Sequence, residues 1–158
     1  MVFFPTPVLV GVDDTREAAH AVHTAVELCR ATDSPLHVAH VKLTSGLLRG
    51  RPMTPSQRAQ ADAEAQALLD NFSALATEVG LAPTQRHVRY GEQVERELVR
   101  LQTELSAGLL VIGEGPAGGL ASRMFQPHHG PSTVQRSTGS VLVVRPPEGF
   151  AGTQRAND

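Results

Sequence analysis

The chain has 158 residues with 14 basic and 16 acidic side chains, a formal charge of −2, and 41% hydrophobic residues. That is single-domain size, too apolar for a disordered segment, and without the basic surplus that non-specific nucleic-acid binding needs. One cysteine, Cys29, allows no internal disulfide and suits a reducing cytoplasm. The longest apolar stretches, Gly108–Gly113 and Val141–Val144, fall far short of the roughly 20 residues of a membrane span. The start, Met1-Val2-Phe3-Phe4-Pro5, lacks the basic opening of a secretory leader, so the expectation is a cytoplasmic chain with no membrane and no nucleic-acid partner.

Val8-Leu9-Val10-Gly11-Val12 is apolar on both faces, as a central parallel strand requires. Asp14 as N-cap and Glu17 three residues later predict a helix carrying Ala18, Val22, Ala25, Val26 and Cys29 on one face to about Thr32. Asp33-Ser34-Pro35 ends it, and Leu36-His37-Val38-Ala39-His40-Val41 reads as the second strand. A loop from Lys42 to Pro55 holds Gly46, Gly50, Pro52 and three basic residues. A long helix should run from about Pro55 to a Gly80 cap, with Leu68, Phe72, Leu75, Ala76 and Val79 inward.

Arg86–Tyr90 is a third strand of weaker pattern, and after Gly91 a helix places Val94, Leu98, Leu101 and Leu105 on one face. Leu109–Ile112 is a buried strand running into Gly113-Glu114-Gly115-Pro116-Ala117-Gly118-Gly119. Ser132–Thr138 is expected to form a short fourth helix, and Val141–Val144 is the last strand. Residues 1–146 then form one domain, with a polar tail at 147–158. Alternation of strand and helix implies an α/β fold: a single-domain, five-stranded, mostly parallel sheet with helices on both faces.

Ligands of such sheets bind outside the carboxyl ends of the strands, at the topological switch point, which selects Asp13, Val41 and the loop at Gly113. Glycines there let a backbone approach a ligand and turn amides toward phosphate oxygens. No Gly-Lys-Ser/Thr follows, so the loop is not a Walker A motif. Gly113-x-Gly115-x-x-Gly118 has the spacing of a dinucleotide fingerprint but follows the fourth strand, and no acidic residue about 20 positions on ends a next strand. That argues against a dinucleotide site.

Taken together, these segments resemble the universal stress protein family over about Val8 to Pro146. Val8-Leu9-Val10-Gly11-Val12-Asp13-Asp14-Thr15 is similar to its first strand and turn, and Leu36-His37-Val38-Ala39-His40-Val41 to its second strand. Ala107-Gly108-Leu109-Leu110-Val111-Ile112-Gly113 is similar to its fourth strand and Val141–Arg145 to its closing one. The resemblance implies a Rossmann-like fold of the adenine nucleotide alpha hydrolase type and a role as an adenine-nucleotide-binding sensor or regulator in stress responses. It assigns adenine and ribose contacts to Gly11, Val12 and Asp13, with Val41, Ile112 and Gly113 beside them. ATP or AMP is the implied ligand, with Mg2+ only alongside ATP.

ATP-binding relatives carry Gly-x-x-Gly-x9-Gly-Ser/Thr after this strand. Here Gly113 matches, but Pro116 and Gln126 stand at the next two glycine positions. Phosphates would therefore have to use Gly115 and Gly118, or Gly130, Ser132 and Thr133 at a later helix start, helped by His128, His129 or Arg123. The alternative is a member without nucleotide binding that acts as a protein-interaction or scaffold homodimer. In either case the aliphatic Val141–Arg145 strand, as a sheet edge, is expected to pair with a second copy.

No residue supplies a clear general base, so catalysis is expected to be absent or limited to slow ATP hydrolysis. His20 with His23, and His128 with His129, lack the companion ligands of a metal site, and His20 and His23 are expected on the exposed side of their helix. Cys29, on an apolar face, reads as inert core.

Overall fold

The five apolar or alternating runs form one parallel sheet in the computed structural model, which describes residues 3–44, 51–114, 120–125 and 132–147. The strands are β1 (Val8–Gly11), β2 (Leu36–Leu43), β3 (Gln85–Gly91), β4 (Leu109–Gly113) and β5 (Ser140–Val144). They lie in the order β3-β2-β1-β4-β5. Leu9 is level with His37 on one side and Leu110 on the other, so β1 is central and the strand order reverses between β1 and β4. The expected α/β architecture is correct, and every pairing is parallel.

Alternating side chains divide the core into two layers. Val8, Val10, Leu36, Val38 and Val111 face α1 (Arg16–Thr32) and α2 (Pro55–Val79). Leu9, Ala39, Val41, Leu110 and Ile112 face α3 (Val94–Glu104) and α4 (Leu120–Phe125). The core is aliphatic, with Ala21, Val22, Ala25 and Val26 of α1 fully buried at helical spacing.

Helix ends follow the local chemistry. Thr15, not Asp14, caps α1: its extended backbone (φ −126°, ψ 156°) lets its Oγ1 accept the Ala18 N–H at 3.2 Å. Asp33 closes the helix in the left-handed conformation, at φ 54°. For α2, Thr54 and Gln57 form a reciprocal capping box around Pro55, and Gly80, at φ 132°, ends the helix as expected.

The first half of α2 is tied to the sheet by polar contacts. Lys42 donates to Glu64 at 2.8 Å, Tyr90 donates to Asp62, and the Arg58 guanidinium lies 3.6 Å from the Tyr90 ring centroid. On the edge strand β3, Arg86 pairs with Asp70 and Arg89 with Glu104. Charges of this kind deter edge-to-edge pairing, whereas the other edge, β5, presents the half-buried Val141, Leu142 and Val143.

Two elements differ from expectation. Instead of a helix over Ser132–Thr138 there is one 3-10 turn, Val134–Arg136, because the Ser132 amide donates to the Gln135 side chain and β5 begins at Ser140. The helix α4, with Ala121 and Met124 buried, lies in a segment for which no element was expected. Much of the expected Lys42–Pro55 loop and most of the 147–158 tail lie outside the described residues.

Candidate functional site

A cleft of about 160 Å³ opens at the carboxyl ends of the strands, where the order reverses. Gly11 lines it from β1, Val12 and Asp13 from the turn that follows, Ala39 and Val41 from β2, and Gly113 from β4. Val94 and Leu98 close it from α3, Leu120 and Arg123 from α4, and Ala18 from α1. Parallel strands bring these distant segments together because each strand ends at the same side of the sheet.

The floor is set by close approach. A Cβ at Gly11 would stand 2.7 Å from Leu98 Cδ1, so α3 rests directly on the end of β1. At Gly113 it would overlap the Glu17 carbonyl, so the glycine lets the first turn of α1 lie against β4. His40 steadies the rim: its Nδ1 lies 2.8 Å from the Val12 carbonyl, the geometry of an N–H donating across from β2 to the end of β1. The Asp13 side chain is exposed and accepts from Thr15 Oγ1, which fixes one oxygen while the capping role belongs to Thr15.

The lining is mainly apolar and carries one carboxylate, Asp13, and one guanidinium, Arg123, among the described residues. Such a lining suits a flat apolar ring, with a carboxylate positioned for hydroxyl donors and a cation for an anion.

Of the expected site residues, Gly11, Val12, Asp13, Val41 and Gly113 converge here. Ile112 instead sits fully buried beneath the cleft, in the layer that faces α3. Ser132 is buried with its amide already bonded to Gln135, Thr133 leads into the 3-10 turn, and neither lines the cleft. Gly115, Gly118, Gly130, His128 and His129 lie outside the described residues. The expectations missed Ala18, Ala39, Val94, Leu98 and Leu120 as lining. Val94 and Leu98 had a signal, since they are one turn apart on a single face of α3, but that face reads equally as core.

Elsewhere, Cys29 is buried, which pushes its thiol pKa up to about 11. His20 and His23 are half-buried on α1, not exposed. Among the described residues no group of three His, Cys, Asp or Glu side chains could hold a metal ion, and no helix is long and apolar enough to cross a membrane.

Fold and cleft together define a five-stranded parallel α/β protein with a cleft at its switch point. The family model of the universal stress protein family matches residues 6–145, and the chain belongs to that family. No curated protein matches it in sequence. Among solved structures it is similar to a universal stress protein family member from Burkholderia pseudomallei, with 26% identity, 88% of this chain and 95% of that one covered, and a TM-score of 0.64. It also resembles the universal stress protein of Archaeoglobus fulgidus in complex with dAMP, with 18% identity, 87% and 96% covered, and a TM-score of 0.62. A family member from Arabidopsis thaliana with AMP bound aligns with 16% identity, 91% and 94% covered, and a TM-score of 0.65.

Proposed function

We propose that the cleft binds an adenine nucleotide, AMP or ATP, and that the protein is a cytoplasmic sensor or regulator of the stress response. The observation that carries this reading is the placement of Asp13 at the end of the central strand, beside Gly11, Val12, Val41 and Gly113. A carboxylate there can accept both hydroxyls of a ribose while the base lies against Val41 and Leu98. The AMP and dAMP held by the relatives from Arabidopsis thaliana and Archaeoglobus fulgidus support the choice of ligand.

With Pro116 and Gln126 at two positions of the family's phosphate motif, the triphosphate gains little over the monophosphate, and Arg123 is the described cation suited to the phosphate. Mg2+ accompanies ATP alone, and hydrolysis is slow or absent. The apolar β5 edge, Val141–Arg145, pairs with a second copy to make a homodimer.

Calorimetric titration with ATP and AMP tests the reading. Replacing Asp13 by alanine removes a charged acceptor, whose hydrogen bonds contribute about 1.5–3 kcal/mol, so affinity should fall roughly ten- to a hundredfold. Failure of both nucleotides to bind would instead favour a scaffold dimer without nucleotide.

A further inference from the structure

We propose that, given the nucleotide reading of the cleft on which this rests, His40 is a positioning residue for the base. By holding the Val12 carbonyl, it ends the β1–β2 ladder one bond early. The Val41 N–H is thereby left free to donate to a ring nitrogen of the base.

Register fixes where the backbone groups point. Gly11 is level with Ala39, and the Val12 N–H donates to the Ala39 carbonyl at 2.9 Å. In a strand the N–H and C=O of one residue point to the same side, and those of the residue two along point there too. Ala39 therefore turns both groups toward β1, and so does Val41, while His40 and Lys42 turn theirs toward β3. Bonds of a parallel ladder are evenly spaced, so the next one would run from the Val41 N–H to the Val12 carbonyl. That bond is not formed. Pairing of β1 with β2 ends at Gly11, and the Val12 carbonyl faces His40 Nδ1 instead, at 2.8 Å. A carbonyl only accepts, so Nδ1 carries the hydrogen.

The consequence falls on the cleft wall. Val41 is 6% exposed and lines the cleft, and among the described residues its N–H has no acceptor. A buried N–H left unpaired is costly, which favours a ligand that brings an acceptor to it. His40 follows Leu36 and Val38 on the sheet face toward α1 and α2, whereas Val41 shares the opposite face with Ala39. The imidazole thus reaches the Val12 carbonyl from behind the strand end and is not among the cleft-lining residues. A side chain without a donor at this position would release the Val12 carbonyl to the Val41 N–H, and the base would lose its donor.

The competing account makes His40 a plain brace between two strands, and amide exchange separates the two. In the full chain without nucleotide, the Val41 amide should exchange much faster than that of Ala39, which is bonded within the ladder. His40→Leu should slow the Val41 amide, whereas loss of a plain brace would leave it as fast or faster. In calorimetric titration His40→Leu should bind AMP at least about fivefold more weakly, because an acceptor of the base is left unpaired. His40→Asn, whose amide nitrogen stands where Nδ1 does, should recover most of that loss and keep the Val41 amide fast. A Val41 amide as protected as that of Ala39 in the unaltered protein, or undiminished AMP affinity in His40→Leu, would overturn the role of His40 alone. No binding of AMP by the unaltered protein would overturn the nucleotide reading, and with it any role toward a base, even where the ligand-free exchange rates are as expected.

Discussion

Adding a single methyl group to Gly11 and to Gly113, which share the cleft, should separate binding from stability. At Gly113 the backbone angles are ordinary, so the obstacle is space: the new Cβ would overlap the Glu17 carbonyl, in the first turn of α1. Backbone cannot step aside as a side chain can, and the helix must move. Overpacking of this kind costs about 1–3 kcal/mol. For a domain of this size, at 2–4 °C per kcal/mol, Gly113→Ala should melt roughly 2–12 °C lower. At Gly11 the obstacle is the end of a flexible side chain, Leu98 Cδ1 at 2.7 Å and Cδ2 at 3.3 Å. A displaced rotamer costs about 0.5–1.5 kcal/mol, so the melting temperature falls less. The displaced Leu98 also lines a cleft of only about 160 Å³. One misplaced methyl in an apolar site changes binding by roughly 10–200-fold, and Gly11→Ala should lose nucleotide affinity on that scale. Calorimetric melting and AMP titration of the two variants test this. If Gly11→Ala were the less stable protein, or bound AMP as the unaltered chain does, the account of the cleft floor would be refuted.

Acid should weaken the fold through the histidine pair. Because burial lowers the folded-state pKa of both His37 and His87 below 6.5, the unfolded chain takes up more protons as pH falls through about 6.5. Stability contributed by the pair is therefore complete above that pH and drains away below it until the folded rings titrate. Urea unfolding from pH 8 to 5 should show this slope, reduced in His87→Gln. With its thiol raised to about 11, Cys29 should resist iodoacetamide at pH 8 in the folded protein and react at once in guanidinium, as mass spectrometry can follow. A proline at Val143, on the apolar edge, should yield a monomer by light scattering, and an unchanged dimer mass would refute pairing through β5.

What could be read in advance depended on how local the signal was. Val8–Val12, Leu36–Val41 and Leu109–Ile112 are short runs largely buried in the sheet, and burial on both faces leaves a nearly continuous apolar stretch that needs no partner to recognise, whereas Val141–Val144 is equally apolar but half-buried at the edge. Asp13, Val41 and Gly113 followed from the rule that strand ends meet. The helix α4 is only 6 residues long, with Ala121 and Met124 buried, and is too short to show a period. Thr15 displaced Asp14 as cap because both side chains carry an oxygen able to accept a first-turn N–H, and the pattern alone does not choose between neighbours. His37 and His87 are 50 residues apart, and their meeting depends on the register of β2 against β3, which no local pattern contains.

The polar clasp between α2 and the edge strand has a spectroscopic consequence. The chain has no tryptophan and a single tyrosine, so Tyr90 is the sole indole or phenol emitter in the molecule. Its hydroxyl is bonded to the Asp62 carboxylate and its ring lies under the Arg58 guanidinium. A carboxylate that accepts the phenolic hydrogen drains the excited state by proton transfer, so the folded protein should glow faintly and brighten when the clasp opens. Emission at one wavelength thereby reports the detachment of α2 from β3, while circular dichroism follows all the helices. Any gap between the two curves on heating measures whether this corner of the domain lets go before the rest.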